Sequence, residues 1–402
     1  MSRSLFWADQ RIIALAAALR ALPDWAETTR YIEAGIRFHC DDGAAHFKLS
    51  GGETKIVLAA DEIAGVTVTA STADWERVAS GQIDWFQAAT SGAISVMGDT
   101  VFVLRNVKIF WLAFKALAMS ANAPTAQGPY SPPFFKRGEP TIGHYIEVAG
   151  GDVYYEEAGS GPAILCLHAA CQDTLMYRHV LAGLSDEFRV IAVDAPGHGK
   201  SQMPQAGPLR DIAALAVFHE QVIDRLALDR PVIVGCSMAG NAVLALAARL
   251  PAGYAAVISA EGADFTPGLD RLTLDMMLLN GQQRLECYAQ SLTGKRTPPG
   301  RAADVIRQIR RALPEVMQAD LGAYSGFDMR DDMADITASV LLIRGTDDWL
   351  VSDEQVTATA SRIANSRVAL LEGTGHYPMI ENPVEFNDAV RRFLHNLGIK
   401  GG

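Results

Sequence analysis

Cysteine is scarce in this 402-residue chain: Cys40, Cys166, Cys171, Cys236 and Cys287 are odd in number and show no close CxxC or Cys/His spacing. That argues against a disulfide framework or a zinc site and for a reducing compartment. Long apolar runs are missing too, and no stretch approaches the roughly 20 apolar residues that span a bilayer. Near the start, the run Ile12–Leu19 is short and follows Asp9. An amphipathic first helix is expected there rather than an export signal, and with it a cytoplasmic location and no stable membrane insertion. Positive charge is in deficit, with 35 Lys+Arg against 46 Asp+Glu and a net charge of −11. Nucleic acid and anionic membrane are therefore set aside as main partners. What remains, 49% hydrophobic and 20% charged, is ordinary globular composition, and the length suits two domains.

The division lies between Ser120 and Pro140. SANAPTAQGPYSPPFFKRGEP carries five prolines and two glycines without any period. Proline fixes φ and removes a donor, so the stretch reads as a linker, 123–140, between a first domain, 1–122, and a second, 141–402. The second opens with a hairpin, HYIEVAGGDVYYEEAG, expected to turn at Gly150-Gly151. The runs AILCLHA, RVIAVDA, PVIVGCS, AAVISA and VLLIRG suit strands buried on both faces. Helical stretches such as LRDIAALAVFHEQVIDRLAL lie between them, with Ile212, Leu215, Ala216, Val222, Ile223 and Leu226 mostly on one face. Alternating strands and helices imply a mostly parallel sheet in an α/β fold. Residues 266–332 break the rhythm and are expected to form helices over the sheet, as a lid.

Chemistry concentrates at the ends of those runs. Gly235-Cys236-Ser237-Met238-Ala239-Gly240 directly follows a strand signal and precedes the helix NAVLALAARL. A serine on such a sharp turn projects its hydroxyl above the sheet, with helix N–H groups behind it for a developing oxyanion. Its base is expected from LLEGTGHYPMIENPVEFNDAVRRFL, which places His376 in a loop between a short strand and a helix. VLLIRGTDDWLVS offers an acid in Asp347 or Asp348 after another strand signal, in the chain order Ser…Asp…His. These motifs resemble those of the α/β-hydrolase family over roughly residues 141–397, including a D-x-P-G-H-G-x-S turn at VDAPGHGKS. The resemblance implies the nucleophile Ser237, the base His376, the acid Asp348, and oxyanion amides at Ala170 and Met238. It departs from the family at Ala169 and Ala239, where glycine is usual. His198 in the VDAPGHGKS turn is expected to be structural. Glu261, 24 residues past the serine at the end of the next strand, is the alternative acid, its bland reading being an exposed or lid-pairing carboxylate. Cys236 is expected to face away into the core.

In the first domain, YIEAGIRFHC, AAHFKLS, TKIVLA and GVTVTA read as four strands of an antiparallel meander after an initial helix. The later segment, with Phe86…Ser91-Gly92…Gly98-Asp99, resembles the sterol-carrier-protein-like family over roughly residues 12–119; its members can hold an apolar ligand. The last helix, VKIFWLAFKALAMS, is expected to bury Phe110, Trp111, Phe114 and Leu117, either in its own core or against the second domain or another subunit, rather than to lie on a membrane.

The expected function is hydrolysis of an ester or related acyl bond in an apolar small molecule, without a cofactor or metal, by a chain able to form a homodimer through its first domain. A carbon–carbon or lactone hydrolase with the same triad stays open. So does a lipid-binding carrier without turnover, for which Ala169 and Ala239 speak.

Overall fold

A computed structural model describes residues 6–58, 64–121 and 140–401. The Pro-rich segment at 123–139 lies outside the described residues. The chain divides into two compact units, Met1–Ala126 and Gln127–Gly402.

In the first unit, helices α1 (Asp9–Ala21) and α2 (Pro23–Thr29) precede β1 (Glu33–Cys40), β2 (Gly43–Ser50), β3 (Glu53–Val57) and β4 (Val66–Ala70). Then come α3 (Thr72–Ala79), α4 (Trp85–Thr90), β5 (Ile94–Gly98), α5 (Thr100–Arg105) and α6 (Val107–Ser120). The sheet order is β3-β2-β1-β4-β5, with β4 parallel to β1. The four-strand meander is therefore corrected: only β1 to β3 form one. Pairing Ile36 with Val66 and Phe38 with Val68 joins two apolar stripes on one buried face. Beside the half-exposed β3, those valines would have had no such face. The fifth strand went unread because ISVMG is exposed after Ile94 and shows no alternation.

Aromatic rings fill this unit's interior. Trp7, Phe38, Phe47, Trp75, Phe110 and Phe114 are fully buried, and the Phe38, Trp75 and Phe114 centroids lie 5.3–5.8 Å apart. The aromatic face of α6 is thus core, each ring contributing about 1.5–3 kcal/mol of burial. The Gly-Asp signature is punctuation. Gly98 sits at φ +108 against the Gly65 carbonyl, where a side chain would overlap, and Asp99 caps α5 by accepting from the Phe102 N–H at 2.8 Å.

The second unit begins with the hairpin β6 (Ile142–Val148) and β7 (Gly151–Ala158). Its turn residues are Ala149 and Gly150, both at positive φ, one position earlier than the sequence suggested. There follow β8 (Ala163–Leu167), α7 (Arg178–Leu184), β9 (Arg189–Val193), α8 (Ile212–Arg225), β10 (Val232–Cys236), α9 (Met238–Arg249) and β11 (Ala256–Ala260). Four helices, α10 (Arg271–Asp275), α11 (Met277–Ser291), α12 (Pro299–Ile309) and α13 (Pro314–Tyr324), occupy the interval before β12 (Val340–Gly345). The chain ends with α14 (Asp353–Arg362), β13 (Ser366–Leu371), α15 (Pro378–Glu381) and α16 (Pro383–Asn396).

The eight strands run β13-β12-β11-β10-β8-β9-β7-β6, parallel from β13 to β9 with the hairpin antiparallel at one edge. Alternation sends Val232, Val234 and Cys236 of β10 into the layer under α7, α11, α12 and α16, and Ile233 into the layer under α8, α9 and α14. The order reverses beside β8. A crevice is expected outside the carboxyl ends of the strands there, and the loops leaving β8, β10, β11 and β12 carry the residues singled out above. Among the described residues, no helix is long and apolar enough to cross a membrane.

Candidate active site

Ser237 joins β10 to α9 at φ 55, ψ −119, a region a side chain adopts only under external constraint. Its N–H donates to the Ala260 carbonyl at 2.8 Å, and its own carbonyl accepts from the Asn241 N–H at 3.0 Å. The turn needs Gly235 and Gly240: a methyl on Gly235 would overlap the Ala239 carbonyl, and one on Gly240 would press on Ala260 and Gly262 of the next strand end. Ala239, the departure from glycine, is accommodated, since its methyl is fully buried in the apolar layer under α8 and α9. Met238 is the first residue of α9, so its N–H is one of those a helix leaves unsatisfied.

His376 is held from below and beside. Its N–H donates to the Leu292 carbonyl at 2.9 Å, and its carbonyl receives the Cys236 thiol at 3.4 Å. Cys236 is fully buried, as alternation required. Glu381 acts as a clamp, accepting from the Gly294, Gly375 and Tyr377 N–H groups at 2.7–3.0 Å. Asn387 reaches the His179 carbonyl at 2.9 Å. The loop around His376 is thus built from residues that also close the lid's base.

The Nδ1 of His376 lies 2.6 Å from Asp348 Oδ2, and both side chains are buried. The Leu350 N–H donates to Asp348 Oδ1 at 2.8 Å. Burial alone would raise the Asp348 pKa, but the His376 charge and the hydrogen bonds around the carboxylate outweigh it and hold it below the usual range. Asp347 turns the other way and accepts the Lys295 N–H at 2.7 Å.

Glu261 is neither exposed nor paired with the lid. It is 1% exposed, accepts the Gly345 N–H, and lies within 4.8 Å of the acceptor atoms of Asp348 and His376. Two buried carboxyls this close do not both ionise. Burial, then the charge on Asp348, pushes the Glu261 pKa well up, so Glu261 carries the proton. A hydrogen bond between the two carboxyls lets protonated Glu261 support the charge on Asp348. A group of two carboxyls and an imidazole could in principle hold a cation, but here one carboxyl is neutral and the imidazole nitrogen is committed to the other.

A second buried cluster was not visible in the sequence. His168 follows β8; its Nε2 accepts the Ala195 N–H at 2.9 Å, leaving Nδ1 to donate to the Ala169 carbonyl at 2.9 Å. Burial, then the His198 charge, lowers its pKa to about 4, so it is neutral. The next turn, at Cys171 (φ 60), is anchored from α13: Asp320 Oδ2 accepts the Cys171 N–H at 2.7 Å and pairs with His198 Nε2 at 2.9 Å. Burial would lower the His198 pKa, yet Asp320 raises it. Ala170 thus sits on a segment fastened by one carboxylate lying 149 residues beyond Cys171 in the chain. Asp320 belongs to no motif, so no local signal could have found it.

Residues 164–389 match the sequence profile described as the alpha/beta hydrolase family, and residues 15–110 that of the SCP-2 sterol transfer family. The chain is similar to a pimeloyl-[acyl-carrier protein] methyl ester esterase of Nitrosospira multiformis, 27% identical over 60% of this chain and 97% of that one. It is also similar to a 2-(acetamidomethylene)succinate hydrolase of Mesorhizobium japonicum, 26% identical over 63% of this chain and 95% of that one. The crystal structure of an enol-lactonase from Burkholderia xenovorans LB400 superposes with a TM-score of 0.58 at 24% identity, over 63% of this chain and all of that one. That last likeness is one of fold.

Proposed function

The chain belongs to the alpha/beta hydrolase family, and from that premise we propose that it is a serine hydrolase cleaving a carboxylic ester through Ser237, His376 and Asp348. The observation that carries the reading is the 2.6 Å bond between His376 Nδ1 and the buried, ionised Asp348. In the tautomer that donates from Nδ1 to this carboxylate, Nε2 is the acceptor a general base needs. The strained Ser237 at the start of α9 supports the nucleophile's role. A methyl ester esterase 27% identical over 60% of this chain supports the ester, and a second relative named as a hydrolase, 26% identical over 63%, supports hydrolysis more broadly.

In this reading His376 accepts the Ser237 proton as the hydroxyl attacks the ester carbonyl. The Met238 and Ala170 N–H groups receive the oxyanion. His376 then returns the proton to the leaving alcohol, and water repeats the sequence to release the acid. Asp348 keeps the imidazole in register and balances its charge, while neutral Glu261 stands behind Asp348 rather than replacing it as the acid. The first unit, without a nucleophile–base pair among its described residues, is assigned to substrate access or to assembly of a homodimer.

The test is labelling with an active-site-directed fluorophosphonate, followed by peptide mapping. Modification confined to Ser237, with turnover of p-nitrophenyl esters that disappears in Ser237→Ala, is the expected result. A protein that binds acyl chains but neither labels nor turns over would establish the carrier reading instead.

A further inference from the structure

The end of β11 joins the nucleophile turn to the acid loop. The Ala260 carbonyl accepts the Ser237 N–H at 2.8 Å. The next residue, Glu261, is bound to β12 twice: its N–H donates to the Ile343 carbonyl at 2.9 Å, and its Oε1 accepts the Gly345 N–H. The Gly345 carbonyl in turn accepts the Asp348 N–H at 3.1 Å, and a side chain on Gly345 would overlap the Thr374 and Gly375 carbonyls of the His376 loop. Glu261 keeps a left-handed backbone, φ 49, which a residue with a side chain holds only where its surroundings fix it. Burying a carboxyl there costs free energy unless hydrogen bonds offset it.

Those bonds are made toward the triad. Polar atoms of Glu261, Asp348 and His376 lie within 4.8 Å of one another, and all three residues are buried. Asp348 offers Oδ2 to His376 Nδ1 at 2.6 Å and Oδ1 to the Leu350 N–H at 2.8 Å. Two carboxylate oxygens have lone pairs left for a further donor, and protonated Glu261 is that donor. Facing the pair are Arg344 of β12, whose guanidinium donates to the Asp348 and Val351 carbonyls, the Tyr324 phenol of α13 and the Cys236 thiol of β10. Glu381 of α15 acts on the same thiol. Burial holds the phenol and the thiol protonated. The two carboxyls and the imidazole therefore titrate as one set.

We propose that Glu261 is a positioning residue of the triad: its O–H donates to Asp348 while its other oxygen holds Gly345, and this bridge both aims the acid at His376 and sets the acid limit of activity. The proposal rests on the serine-hydrolase reading and adds a fourth residue to it. A hydrogen bond into a carboxylate draws charge away from the carboxylate's other partners. Without it, the negative charge on Asp348 falls on the imidazolium alone. The Asp348–His376 couple then takes up a proton at higher pH, and the acidic limb of kcat/KM moves up the pH scale.

The full-length protein is assayed with a p-nitrophenyl ester across the pH range as wild type, Glu261→Met and Glu261→Gln. Glu261→Met keeps the volume and removes the donor. Its acidic limb should move up by about one pH unit, tenfold in proton affinity, and its plateau kcat should fall about tenfold while KM stays close to wild type. Glu261→Gln, whose amide offers a donor and an acceptor in the same places, should restore the limb and most of kcat. A Glu261→Met limb that coincides with wild type overturns the proposal, as does a Glu261→Gln limb displaced as far as that of Glu261→Met. Should Glu261→Met not fold, the infrared difference between wild type and Glu261→Gln at pH 7 decides. Loss of a protonated-carboxyl stretch supports the donor, and loss of a carboxylate stretch in its place overturns it. If wild type turns over no ester and Ser237 does not label, the hydrolase reading fails, and the same infrared difference still decides whether Glu261 holds the proton beside Asp348.

Discussion

Asp320→Ala should weaken both stability and catalysis, although Asp320 is on a lid helix and touches no reacting atom in the mechanism proposed. The carboxylate accepts the Cys171 N–H at 2.7 Å and His198 Nε2 at 2.9 Å, and all three groups are buried. Deleting it orphans a buried N–H, about 1–3 kcal/mol. Removing one partner of a buried ion pair costs about 3–5 kcal/mol when the survivor stays charged. His198 has an escape, since without Asp320 it loses its proton, so the total should sit near the low end, about 3 kcal/mol. For a domain of this size that is a fall of roughly 6–12 °C in Tm, read by calorimetry. The catalytic effect comes from the loop. If Ala170 supplies an oxyanion donor, releasing the Cys171 turn should lower kcat by about 10²-fold with little change in KM. The pH dependence has a definite sign. His198 has a folded pKa above its unfolded value of about 6.5. The pair's stabilisation is thus complete below that value and is lost as pH rises through the folded pKa. Facing His198 are His168 and Asp194, common to both proteins. The Tm gap between wild type and Asp320→Asn should be widest near pH 6 and narrow on the alkaline side. A variant with the lowered Tm but wild-type kcat would show that Asp320 holds the lid and not the oxyanion loop. A gap independent of pH would refute the charged pair.

Ser237→Ala should lose ester turnover by several orders of magnitude and all fluorophosphonate labelling while keeping its circular dichroism spectrum. Asp348→Asn should lower kcat by about 10⁴-fold, because the amide favours the wrong imidazole tautomer. Glu261→Gln should stay within a few-fold of wild type, since an amide N–H can stand where the neutral acid's O–H stood; a ranking with Glu261→Gln worse than Asp348→Asn would exchange the two roles. Gly235→Ala should abolish labelling of Ser237, because its methyl would overlap the Ala239 carbonyl and force the turn open, and unchanged labelling would refute the strained-turn account. Truncation at about Ala123 should leave Ser237 labelling intact while reducing activity on large substrates or the size of the assembly in solution, and unchanged kinetics and size would remove any role for the first unit.

Much of this was local and therefore legible. Buried runs such as VLLIRG and PVIVGC announce strands covered on both faces, because an unbroken apolar run has no solvent side. The glycine-flanked serine, the acid loop and the histidine loop each follow a strand, and their spacing reflects turns whose geometry is set within a few residues. Ser237 and His376 were candidates on that ground and Asp348 by family resemblance, and the structure hydrogen-bonds His376 to Asp348 rather than to Asp347 or Glu261.

What the tertiary structure decided are matters of pairing and protonation. A period-two strand does not say which neighbour it joins, and β4 lies parallel to β1 because only that register unites Val66 and Val68 with Ile36 and Phe38 on one buried face. Glu261 could have been an exposed carboxylate or the acid itself; it is a neutral acid because burial and a second carboxyl within 4.8 Å make its charge untenable. Asp320 is an ordinary helix residue until the lid folds over the sheet. It is then paired to a loop 149 residues away in the chain. Electrostatic free energy depends on distance and desolvation, and both are properties of the packed chain, set by contacts that no window of sequence contains.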